Sequence, residues 1–180
     1  MRRVAGGPLA AFSLALALVI PLPACSADLE AAVKAAYLYK LAPFTSWPAN
    51  SFSGPAAPFV ICLQGPDPFG DLLDDTVAGQ RIGGRPIVIS RLNAVDGGSG
   101  CQIAYIAGSD AQPRAAALEA LRGSHVLTVT DEANGADPRG MVHFVLQGGR
   151  VRFEIDMRQA DAAGVTISSK LLALAVSVVR

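Results

Sequence analysis

Residues 58–73 read PFVICLQGPDPFGDLL. The first half is a short apolar run, rich in Phe, Val and Ile and closed by Gly65, which is the mark of a buried strand. The second half changes period. Asp67 stands where a helix cap belongs and Pro68 at the first helical position, and Leu72, Leu73 and Val77 form one apolar face. A strand passing directly into a helix is the unit from which α/β sheets are assembled.

The same grammar continues downstream. RPIVISRL (85–92) and GCQIAYIAG (100–108) read as strands, QPRAAALEALRG (112–123) as a helix opened by Pro113 and ended by Gly123, and HVLTVTDE (125–132) as another strand. Strands and helices alternating in this way predict a mostly parallel sheet with helices on its faces. The pattern then breaks. MVHFVLQGGRVRFEID (141–156) is two alternating strands joined at Gly148-Gly149, a β-hairpin. MRQADAAG (157–164) is a short helix with Gly164 as its stop, and SSKLLALAVSVVR (168–180) reads as a final apolar helix. The expected architecture is an α/β three-layer sandwich with a sheet of about six strands, a C-terminal hairpin and flanking helices.

Upstream of residue 58, Leu29, Val33, Tyr37 and Leu41 recur every fourth position with Ala32 and Ala36 beside them. This predicts an amphipathic helix capped by Asp28 and stopped by Pro43. The segment FTSWPANS (44–51) follows as a turn-rich stretch with the sole tryptophan, Trp47. Phe44 and Trp47 are candidate partner contacts, because aromatic groups on loops often anchor interfaces. The competing reading makes Trp47 a lid on the core.

Residues 1–27 form an export signal: Arg2 and Arg3 precede an apolar stretch, PLAAFSLALALVI, that is short for a membrane span. Cleavage after Ala27 leaves one domain, residues 28–180, mildly acidic and soluble in the periplasm. The alternative treats LPAC (22–25) as a lipobox and anchors the chain through Cys25. Cys62 and Cys101 remain in either case, and in an oxidising compartment such a pair is most simply a disulfide, with two free core thiols as the alternative.

The 180 residues carry 15 basic and 15 acidic groups and no basic run, which speaks against nucleic acid as a partner. Only His125 and His143 are present, neither beside a Cys or carboxylate in sequence, so no metal or other cofactor is expected. Asp67, Asp71, Asp74 and Asp75 lack the order of a calcium loop and read as a solvated helix face. Ser168, Ser169 and Lys170 invite a Ser/Lys nucleophile reading, but that motif needs Ser three residues before Lys and Ile167 stands there. Ser168 instead fits a helix N-cap, with Ser169 and Lys170 exposed and Leu171, Leu172, Leu174 and Ala175 buried. No catalytic residues are assigned, and an enzyme is not expected.

The pieces VKAAYLYKLAPFTSWP, FVICLQGPDPFGDLL, GCQIAYIA, VLTVTDE and VRFEIDMRQADAAGVTISSKLLALA run in order through nearly the whole chain after the signal. Together they resemble the YfiR family of periplasmic proteins. The resemblance implies a non-catalytic binding protein that inhibits an inner-membrane diguanylate cyclase through its periplasmic sensor region, and so lowers cyclic-di-GMP and biofilm growth. It also implies an outer-membrane lipoprotein as a second partner, and a homodimer stands beside these among the expected assemblies. Cys62 and Cys101 match a disulfide pair of that family. A second pair found in some members near the hairpin is missing, since His143 and its neighbours include no cysteine. The other function considered is a small-ligand sensor, or an accessory of a sensor kinase or outer-membrane transporter. Its ligand would sit between LQGPDPFG (63–70) and AGSDAQP (107–113) at the carboxyl ends of strands.

Overall fold

A computed structural model of the chain describes residues 24–132 and 137–180, with side chains from residue 27 onward. Residues 1–23 of the expected signal peptide and the Cys25 side chain lie outside the described residues. Helix α1 (Ala24–Lys40) leads into a 3-10 turn and a short strand β1 (Thr45–Ser46). There follow β2 (Phe59–Gln64), α2 (Asp71–Val77), β3 (Arg81–Ile82), β4 (Arg85–Leu92), β5 (Ile103–Ile106), α3 (Ala111–Ala120) and β6 (Leu127–Asp131). The chain ends with β7 (Val142–Gln147), β8 (Arg150–Asp156), α4 (Met157–Ala162), β9 (Thr166–Ile167), α5 (Ser169–Leu172) and β10 (Ser177–Val179).

Eight strands form one sheet in the order β10-β8-β7-β6-β5-β2-β4-β3, and β1 pairs with β9 in a separate two-stranded ribbon. From β4 to β7 all neighbours are parallel, while β7–β8 and β3–β4 are antiparallel. The mixed α/β class is therefore as expected, but the sheet is wider than six strands. Gly148 and Gly149 make the β7–β8 turn with φ of +59° and +71°. Two consecutive positive φ values are what a tight primed turn demands and what glycine adopts without strain.

Register sets the layers. Ile61, Ile103 and Leu127 stand side by side, as do Leu63, Tyr105, Val129, Val142 and Ile155, all pointing to one face. Ala35, Leu38 and Leu41 of the α1 region and Leu73 and Val77 of α2 cover that face as the main core. On the other face Cys62, Ala104 and Ile106 pack against Ala117 and Leu121 at α3. Ala160 and Ala163 at α4 belong to the main core, so α4 closes the end where β8 leaves the sheet.

Several sequence expectations need correction. The run after Ser168 is no continuous helix: α5 ends at Leu172, and Val176 to Val179 extend alongside β8, with Val176 N donating to Phe153 O at 2.9 Å. Without β10 the outer edge of β8 would expose unpaired backbone groups, and the β-branched valines suit a strand. Consequently Leu174 is 59% exposed rather than buried, and only Leu171 of the four predicted core residues is fully buried. Helix α1 begins before Asp28, which is an interior residue, and its buried stripe is rotated to Lys34, Ala35 and Leu38 while Leu29 is exposed. Helix α2 starts at Asp71 behind Gly70, so Asp67 is no cap; its Oδ1 accepts from Phe69 N at 2.7 Å in a local turn, and Leu72 faces outward. Residues 79–86, GQRIGGRP, carry β3 and the turn of a second hairpin. Ser168 does cap α5, accepting from Leu171 N at 3.3 Å, with Ser169 and Lys170 exposed.

Candidate functional site

A strap formed by residues 42–52 crosses the end of the sheet where the parallel strands begin. Leu41 and Pro43 pass into the 3-10 turn, β1 pairs with β9 at Thr45↔Ile167, and Ser168 N donates to Phe44 O at 2.9 Å. Phe44 and Trp47 both lie on this strap, half-buried against the main core. Trp47 points inward: its ring meets Phe59 edge-on at 5.1 Å, and Nε1 donates to Gln102 O at 3.1 Å. Phe52 also approaches Phe59, and the Arg85 guanidinium lies over its ring at 4.0 Å while donating to Gly54 O at 2.9 Å and Ala57 O at 2.5 Å. Pro43, Ser46, Ala49 and Asn50 form the exposed side.

Gln102 is the knot under the strap. Its Oε1 accepts from Val60 N at 2.7 Å and its Nε2 donates to Ser51 O at 2.7 Å, joining strap, β2 and the entry to β5. The adjacent Cys101 is bonded to Cys62 with a Cα–Cα distance of 5.8 Å, bracing the same junction on the sheet's second face. Sequence reading overlooked Gln102, although an amide in an otherwise apolar strand run was its one visible signal.

The opposite end of the sheet, where the ligand rims were expected, is closed by direct packing. Ala107 N donates to Gln64 O at 2.8 Å, and a Cβ on Gly65 (φ +92°) would lie 2.6 Å from Ala107 O. The rim carboxylate Asp67 is also engaged, together with Asp74 of α2. Arg91 bonds Asp67 at 2.7 Å and Asp74 at 2.6 Å, and its hydrogen bond holds the Asp74 carboxyl below the usual range. These pairs are exposed and contribute little to stability.

Two buried polar groups were not legible as such. Lys34 Nζ reaches Asp131 Oδ2 at 2.5 Å and also bonds Glu30, while Tyr105 OH donates to Asp131 Oδ2 at 3.2 Å. Burial penalises the ammonium, yet the hydrogen bonds and charges of Asp131 and Glu30 outweigh it and raise the Lys34 pKa. The second group is His143. Thr130 Oγ1 accepts from Gly140 N at 2.9 Å and shares a hydrogen bond with His143 Nδ1, 2.8 Å away. Nε2 has no hydrogen-bond partner among the described residues. Burial, reinforced by Arg139, pushes the His143 pKa below the ordinary histidine value against the pull of Glu154, Asp131 and Glu132.

A folded pKa below the unfolded one means that the unfolded chain binds a proton first as pH falls. The His143 contribution is thus whole above about pH 6.5 and is lost progressively below it. The thermal midpoint is expected to fall between pH 7 and pH 5, and His143→Asn, which keeps a non-titrating hydrogen-bonding group beside Thr130, should flatten that window. An unchanged slope in the variant would assign the loss to other groups.

Among the described residues, no three His, Cys, Asp or Glu side chains are grouped to hold a metal ion, and no helix is long and apolar enough to cross a membrane. The polar side chains around the strap serve the fold, and what the region offers a partner is surface. Residues 31–176 match the family model described as YfiR/HmsC-like. The chain belongs to the YfiR/HmsC-like family. No curated protein matches the chain. The matched span runs from α1 to the residue before β10, so it contains the strap, the Cys62–Cys101 bond and the core of this YfiR/HmsC-like domain.

Proposed function

We propose that this YfiR/HmsC-like protein is a periplasmic regulatory binding protein that holds down the output of an inner-membrane diguanylate cyclase. Residues 1–27 direct export and are removed, and residues 28–180 bind the periplasmic sensor region of the cyclase without catalysis of their own. An outer-membrane lipoprotein competes for the inhibitor. The observation that carries this reading is the family match across residues 31–176. The closed rims at Gly65 and Ala107 support it over a ligand sensor built at that end of the sheet.

The mechanism is a population shift: the inhibitor binds one state of the cyclase more tightly than the other, and only that difference transmits a signal. The strap carrying Phe44 and Trp47 is the contact surface under this proposal. Deleting the gene is expected to raise cyclic-di-GMP and surface attachment, and an unchanged level would overturn the assignment. Trp47→Ala is a poor probe, because losing its half-buried ring costs roughly 2 kcal/mol of stability by itself. Ser46→Arg, on the exposed side of the same strap, is expected to reproduce the deletion phenotype while shifting stability by less than about 0.5 kcal/mol. A folded Ser46→Arg protein with full activity would remove the strap from the interface.

A further inference from the structure

A groove of about 670 Å³ lies between the flank of α3 and α4. That volume lies within the range of small-molecule sites. Its apolar lining is aliphatic: Ala115 and Leu118 on α3, Met141 at the floor and Ala162 on α4. Among the described residues that line it there is no aromatic ring, so sugars and bases find no stacking platform there.

Three arginines stand on the rim, Arg122, Arg139 and Arg158, with two acids, Glu119 and Asp156, and Arg139 is held by Asp137 and Glu154. Arg122 and Arg158 are largely exposed and pair with those near neighbours in sequence, at 2.6 Å to Glu119 and 3.2 Å to Asp156. Such exposed local pairs are weak and exchange readily for another carboxylate. An aliphatic trough with exchangeable arginines on its rim matches one ligand chemistry in both parts. We infer that the groove between α3 and α4 binds a medium-chain aliphatic carboxylate, its chain lying between the helices and its head group on Arg122 and Arg158. The inference does not rest on the regulatory reading.

Calorimetric titration of the full chain with sodium decanoate below its micellar concentration tests it. A saturable one-to-one isotherm is expected, with decanol at least about tenfold weaker because it offers the arginines no charge. Ala115 and Ala162 are exposed on facing walls. Ala115→Trp and Ala162→Trp, tested separately, should each fill the groove and abolish the binding heat while leaving the ligand-free thermal midpoint within about 2 °C. Arg122→Gln with Arg158→Gln should weaken decanoate roughly tenfold and leave decanol unchanged. Decanol binding as tightly as decanoate, heat that does not saturate, or binding that survives a folded tryptophan variant would each overturn the inference.

Discussion

Lys34→Met is expected to destabilise the protein by about 3–5 kcal/mol, the usual cost of leaving one member of a buried ion pair without its partner. Lys34 and Asp131 side chains are only 7% and 3% exposed, so water cannot replace the lost ammonium. The carboxylate stays in place because Tyr105 also donates to it. The double variant Lys34→Met, Asp131→Asn removes the stranded charge and keeps an acceptor for Tyr105. It should be more stable than the single variant by roughly 2 kcal/mol. Urea unfolding of the three proteins measures this. A single variant that loses less than about 1 kcal/mol would show that the pair is hydrated in solution.

The two-alanine variant of Cys62 and Cys101 carries the second large effect. The bond joins residues 39 apart, and the chain-entropy model assigns such a cross-link about 4 kcal/mol through restriction of the unfolded state. For a domain of this size that corresponds to a thermal midpoint lower by roughly 8–16 °C. Both cysteines are buried, Cys62 fully, so the reduced protein should keep the same packing between β2 and β5 while it stays folded. Scanning calorimetry of wild type, reduced wild type and variant checks the value. Equal midpoints in all three would mean that the bond does not form in the purified protein.

The two effects differ in how far sequence could announce them. A pair of cysteines in a chain read as exported names its own bond, because so few alternatives exist. Lys34 sits in an Ala-rich helical run and reads as solvent-facing by residue type. Its burial follows from the rotation of α1, which is set by the fit of Ala35 and Leu38 onto the sheet and by Asp131 waiting at the end of β6. Of the predicted stripe, Val33, Tyr37 and Leu41 do meet the core, but the most buried line runs through Lys34, Ala35 and Leu38, and Leu29 is exposed, so the period is right and the phase is off. Period is a local property of the chain, whereas phase depends on what the helix meets.

The strap tells the same story at the candidate site. Sequence singled out Phe44 and Trp47 as aromatic groups in a turn-rich stretch. Their direction depends on Phe59 and on the Gln102 carbonyl, both far along the chain, and only the fold brings those to Trp47. The exposed Ser46, which carries the sharper test, has no local feature to mark it. The closing of the ligand rims was equally hidden, because the approach of Gly65 to Ala107 is a distance between two loops.

What the sequence determined by itself was the set of elements with strong local signals. Buried strands announced themselves by unbroken apolar runs, the hairpin by Gly148-Gly149 and the cap of α5 by Ser168, since each rests on backbone preferences acting within a few residues. The tertiary structure decided the rest, and the clearest case is the C-terminal run. Leu172 to Val179 is apolar at every position but Ser177, so its periodicity suits a buried helix and a strand alike. The open edge of β8 settled it, because pairing there satisfies the backbone groups of both segments at once.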